Sequence, residues 1–178
     1  LGSSTGSAVA VAAGIVPMAV GTDTSHSITA CAMGNGICGL KPPAGVLSQE
    51  GIIPISKTFD SAGAMAQNVS DTLKLYSAMR DEPLPEITQT PAGKLRISVN
   101  IANADMNPQE RRKYLDGVIE TLRNNGVVIS EVNQPPTPEL PSIMKREFGT
   151  GLEAYLIKSG AKLQTLKQIV EYYEAHPA

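Results

Sequence analysis

At 178 residues, with 42% hydrophobic and 18% charged side chains, the chain is long enough to bury a sizeable core and does not have the composition of a disordered segment. A formal net charge of −2 gives no electrostatic case for nucleic acid or an anionic membrane surface as partner. The two cysteines, Cys31 and Cys38, indicate neither a disulfide framework nor a zinc site, and no run reaches the ~18–20 apolar residues of a spanning helix.

In chain order, Ser4 or Thr5 is placed to cap a helix running to about Ala13, with Gly14 as its stop. Residues 15–21 read as a short buried strand, 22–29 as a loop, and 34–40 as a glycine-rich strand or turn. Prolines and glycines between Lys41 and Gly63 predict irregular structure. Residues 69–79 read as a helix capped by Ser70, with Leu73, Leu75, Tyr76 and Met79 available for burial. The segment 81–93 is linker-like, because Pro83, Pro85 and Pro91 disfavour both helix and central strand.

A β-α-β unit is expected next. Residues 95–100 alternate as a strand, and Asn107-Pro108-Gln109-Glu110 combines a cap, a first-turn proline and a capping-box acid. Leu115, Val118, Ile119 and Leu122 form one helix face, Gly126 stops the helix, and 127–132 is the returning strand, expected to lie parallel to the first. Two more helices are predicted near 138–158 and 165–175.

Two serine-bearing turns carry the chemical interest. Leu1-Gly2-Ser3-Ser4-Thr5-Gly6-Ser7 precedes a helix, and Gly21-Thr22-Asp23-Thr24-Ser25-His26-Ser27 follows a strand. Small residues let backbone N–H groups converge on a reacting oxygen, and a serine at a sharp turn suits nucleophilic attack. The plainer alternatives are turn and cap roles for these serines, or an anion cradle at residues 2–7. That cradle lacks the Gly-Lys-Ser/Thr ending of a phosphate-binding loop.

These segments, in this order, resemble the amidase signature family of serine hydrolases. Its G-G-S-S-G-G-S corresponds to residues 1–7, its G-T-D-T-G-G-S-I-R-x-P-A to 21–32, and its G-L-K-P-T to Gly39-Leu40-Lys41-Pro42-Pro43. The series continues through Gly51-Ile52-Ile53-Pro54, Phe59-Asp60-Ser61-Ala62-Gly63 and Ala66-Gln67-Asn68-Val69-Ser70-Asp71. Later, residues 147–156, 165–169 and 174–177 resemble a section of the family's monomeric amidases.

The resemblance implies hydrolysis of a carboxylic amide by a serine–serine–lysine triad, with no metal or cofactor. The nucleophile falls on Ser27 and the bridging serine, preceded by a cis peptide, on Ser3; the lysine lies upstream of Leu1. The oxyanion hole falls on the backbone N–H groups of Thr24, Ser25, His26 and Ser27. Ser25 and His26 stand where the family has glycines, Thr29 where it has arginine, and Cys31 where it has proline. His26 reads best as an exposed loop residue, Cys31 as a packed thiol, Lys41 as structural, and Asp23 as a holder of the loop through backbone hydrogen bonds. A catalytically degenerate scaffold or binding protein, and a glutaminase of the amidotransferase type, are the alternatives.

The implied fold class is α/β: a mixed sheet covered by helices on both sides, of which only the central part is present. The β-α-β pattern supports this independently. The expected organisation is a single partial domain over 1–178, with a signature core at 1–80, the linker-like loop at 81–93, and a β-α-β and helical section at 94–178. The expected partner is a small-molecule amide, with no nucleic acid and no evident membrane. The chain opens inside a motif without an initiating Met, so it reads as a central fragment that a signal peptide could precede. Free thiols favour a reducing, cytoplasmic compartment.

Overall fold

The computed structural model describes residues 2–84, 90–100, 108–132 and 139–177. In order, the described elements are α1 (Thr5–Ala12), β1 (Met18–Asp23), α2 (Thr29–Gly34), β2 (Cys38–Leu40), β3 (Ser61–Ala66), α3 (Val69–Ala78), β4 (Arg96–Asn100), α4 (Pro108–Asn124), β5 (Val128–Val132), α5 (Leu140–Lys158) and α6 (Leu166–Ala175). They divide into two compact units, one built up to Leu84 and again from Glu139, the other between. The mixed α/β class expected of the sequence is the one observed.

In the first unit the strands form an antiparallel sheet in the order β1-β3-β2. The central strand, Ser61-Ala-Gly-Ala-Met-Ala66, is buried along its whole length. On one face Met65 packs with Ala8, Ile28, Cys31 and Ala32, which come from α1, α2 and the turn between β1 and α2. On the other, Ala62 and Ala64 pack with Leu47 and with Tyr76 of α3. Small side chains on β3 let helices approach both faces closely, which explains a strand of low intrinsic β-propensity.

In the second unit β4 and β5 pair in parallel, Arg96 opposite Val128 through Asn100 opposite Val132, with α4 as the crossover. This is the expected β-α-β connection. Among the described residues its buried apolar side chains are Ile119 and Val127, and Gly126 adopts φ +84°, the left-handed conformation that ends a helix. The capping pattern proposed at Asn107, the middle of the linker-like segment and the start expected at Pro138 lie outside the described residues.

Several local expectations are corrected. The chain expected to be irregular up to Gly63 contains the first half of β3, and Thr22 and Asp23, expected in a loop, extend β1 because they pair with Ala62 and Ser61. Residues 29–34 form the short helix α2. Asn68, not Ser70, caps α3, its side chain accepting from Asp71 N–H. Ser4 makes no side-chain cap; its hydroxyl goes to β1 instead. Helix α6 does have a capping box, formed by Thr165 and Gln168.

Candidate active site

The turn between β1 and α2 carries Thr24 to Ile28. Asp23, at the end of β1, is 1% exposed. Its Oδ2 accepts from Ile28 N–H at 2.6 Å and from Thr29 N–H at 3.4 Å, so it caps α2 from five residues upstream. Its Oδ1 takes no hydrogen bond of good geometry, yet lies 3.1 Å from Lys41 Nζ, so that contact is ionic. Lys41 Nζ also donates to the Thr24 carbonyl at 3.2 Å. The structural roles expected of Asp23 and Lys41 are those observed here, and Lys41 is committed to this clamp.

A second tether holds the same turn. The Thr24 hydroxyl donates to Asp60 Oδ1 at 2.6 Å, and Asp60 Oδ2 accepts from Ile55 and Ser56 N–H at 2.8 and 2.9 Å. Asp60 belongs to a recognisable sequence segment, but nothing in its spacing told that it would reach Thr24.

Ile28, fully buried, is the turn's apolar anchor. It sits on three glycines, one from each strand of the sheet. A Cβ at Gly21 would lie 3.0 Å from Ile28 Cγ1, one at Gly39 3.2 Å from Cγ2, and one at Gly63 2.7 Å from Cδ1. The residue next to Ser27 is thereby fixed in a socket that only absent side chains provide.

Ser27 is half-buried and His26 exposed. Among the described residues no protein acceptor takes the N–H of Ser25, His26 or Ser27. None of the described non-glycine residues has positive φ, so Ser25 and His26 are accommodated without the left-handed backbone that glycines would permit. The Gly2–Ser3 peptide bond is cis. Ser4 N–H donates to the Ser27 carbonyl at 3.3 Å, and the Ser4 hydroxyl donates to Thr22 O at 2.9 Å while accepting from Thr22 N–H at 3.1 Å. These bonds bring the two serine turns side by side, with Ser3 one residue from a direct link to Ser27. No hydrogen bond joins the Ser3 and Ser27 hydroxyls among the described residues. Cys31 is buried, its Sγ 3.7 Å from Thr5 Oγ1, as expected of a packed thiol.

Farther out, Glu147 of α5 accepts from Ser56 Oγ and Thr58 Oγ1, each at 2.5 Å, and from Thr58 N–H at 3.1 Å. The Ser56 hydroxyl first, then the Thr58 hydroxyl and N–H, hold its carboxyl below the usual glutamate range. The sign follows: this grip is present above the ordinary pKa and is lost as pH falls through the lowered one. Among the described residues no cluster of three or more side chains could hold a metal ion, and no helix is long and apolar enough to cross a membrane.

The ionic clamp is directly testable. Lys41→Met leaves a buried carboxylate without its counter-charge, Oδ1 unpaired, and destabilises the protein by about 3 kcal/mol. Asp23→Asn keeps an acceptor for Ile28 N–H and frees an ammonium that reaches water, so it costs less, about 1–2 kcal/mol. Urea midpoints in the reverse order would contradict this reading of the clamp.

Residues 2–178 match the family model described as Amidase. The chain is 32% identical over 190 residues to a glutamyl-tRNA(Gln) amidotransferase subunit from Lactobacillus acidophilus, an alignment that covers 97% of this chain and 40% of that protein. Native peptide amidase from Stenotrophomonas maltophilia superposes with a TM-score of 0.80 at 31% identity, over 98% of this chain and 40% of that one. An amidase family protein from Bacillus anthracis does so with a TM-score of 0.80 at 28% identity, over 98% and 38%. The chain therefore spans about 40% of the length of the relatives it matches.

Proposed function

The chain belongs to the amidase family, and from that premise we propose that the protein carrying it hydrolyses a small carboxylic amide through an acyl–enzyme on Ser27. A serine hydroxyl is a poor nucleophile at neutral pH and needs a base within reach. In this reading Ser3 accepts the Ser27 proton and passes its own to a neutral lysine outside residues 1–178. Ser27 Oγ bonds to the carbonyl carbon, the C–N bond breaks, and the nitrogen leaves with the relayed proton. Water then hydrolyses the ester by the same route in reverse.

The observation that carries the proposal is the turn itself. Three successive N–H groups, at Ser25, His26 and Ser27, have no acceptor among the described residues, while Ile28 and Asp23 on either side are locked. Such preorganised donors stabilise a developing oxyanion, each by about 2.7–4 kcal/mol. The serine pair supports the reading through Ser4 N–H, which ties residue 4 to Ser27.

The test is covalent. A fluorophosphonate reacted with the full-length protein should phosphonylate one peptide, and mass spectrometry should place the adduct on Ser27. Folded protein without an adduct favours a degenerate scaffold. The similarity to part of an amidotransferase supports a second reading, glutamine as the amide. Ammonia release measured across glutamine and simple acyl amides separates the two.

Ser25 and His26 bear on activity as well. Their side chains border the proposed donors, so Ser25→Gly with His26→Gly should raise kcat/KM for amide hydrolysis about 10-fold if crowding misdirects one donor. The same change lowers stability slightly, because glycine loosens the unfolded chain. An unchanged or reduced kcat/KM in the folded variant would mean that the two side chains serve the site.

A further inference from the structure

We propose that Glu147 is a positioning residue for the Ser27 turn, acting from α5 through Ser56, Asp60 and Thr24; this rests on the reading of Ser27 as nucleophile. The path is continuous. Glu147 Oε2 accepts the Ser56 hydroxyl at 2.5 Å, Ser56 N–H donates to Asp60 Oδ2 at 2.9 Å, and Asp60 Oδ1 accepts the Thr24 hydroxyl at 2.6 Å. Each bond has a carboxylate acceptor, the stronger kind of hydrogen bond. Ser56, Asp60 and Thr24 are 0%, 5% and 8% exposed, so water competes little for the inner links.

Thr24 opens the row of proposed oxyanion donors. Its carbonyl, which shares a peptide plane with the Ser25 N–H, is held by Lys41 and its side chain by Asp60, so the residue that carries that plane is held from two directions. Oxyanion donors act over about 2.7–3.1 Å, so a small shift of that plane is felt in the transition state. Glu147 sets where Ser56 and Thr58 sit, and with them the two N–H groups that orient the Asp60 carboxylate. Helix α5 also meets the same segment elsewhere, at the exposed Lys158–Glu50 pair, 2.5 Å apart, and at Gly151, where an added Cβ would lie 3.5 Å from Pro54. Docking of the helix therefore does not rest on Glu147 alone.

The experiment is a double-mutant cycle on the full-length protein, with Glu147→Gln, Thr24→Val and the pair, reading kcat and KM separately. Glutamine keeps the size of the side chain but confronts two hydroxyl donors with an amide in place of the second carboxylate oxygen. Each single variant should lower kcat about 10-fold with KM within about twofold, and the pair should be no slower than the slower single. Multiplicative losses in the pair, or a wild-type kcat in folded Glu147→Gln, would overturn the relay. Should wild-type protein neither hydrolyse amides nor take a fluorophosphonate, it is the catalytic reading that has failed. Amide hydrogen exchange then judges the relay: Glu147→Gln should speed exchange at residues 24–28 while α5 stays protected, and unchanged exchange there overturns it.

Discussion

Ser27→Ala in the full-length protein should reduce kcat for its best amide by about 10⁴- to 10⁶-fold, leave KM within a few-fold, and abolish fluorophosphonate labelling. In the proposed mechanism the residual rate would come from binding and from the N–H donors that the substitution leaves in place. Folding should be unaffected. The Ser27 hydroxyl makes no hydrogen bond among the described residues, and the turn is held instead by Asp23, Lys41, Asp60 and the Ile28 socket. Ser3→Ala should cost less, about 10²- to 10⁴-fold, because in the proposed mechanism it removes a proton relay and spares the nucleophile. Equal activity of Ser27→Ala and wild type, each folded by circular dichroism, would remove Ser27 from the chemistry.

Gly63→Ala should be the most damaging small substitution in the sheet. Its Cβ would run into the backbone carbonyl of Leu40 and lie 2.7 Å from Ile28 Cδ1. A carbonyl in a paired strand cannot turn aside as a long side chain can, so β2 and β3 must separate or Ile28 must leave its socket. The expected cost is about 3 kcal/mol, at the upper end for overpacking, with a fall in activity because Ile28 carries Ser27 beside it. Gly117→Ala in α4 is the control. Nothing lies within 4 Å of its Cβ position, so it should gain about 0.5–1 kcal/mol through helix propensity. Matching urea midpoints for the two variants would show that Gly63 is not packed as described.

Much of this was legible from the chain alone, where local chemistry or motif order spoke. The parallel β4-α4-β5 connection followed from alternation, a 3.6-residue apolar face and Gly126, and the small-residue helix α1 from its glycine stop. The resemblance to a family came from short segments in a set order, which need no coordinates. The sequence also marked Ser3 and Ser27 as belonging together, though by analogy and not by distance. Tertiary structure decided the rest, because the decisive contacts join distant residues. Strand β3 was invisible, since Ser61-Ala-Gly-Ala-Met-Ala66 has neither alternation nor β-branched residues and is a strand only because two neighbours and helices on both faces demand small side chains there. Ser4 resembled a helix cap yet spends its hydroxyl on Thr22 eighteen residues away, and Asp60 and Glu147 carry no local signal for the bonds they make to Thr24 and Ser56. Periodicity and capping report on neighbours within one turn or one pleat, whereas a turn held by three strands and by bonds between distant residues is specified by packing, which the sequence encodes only collectively.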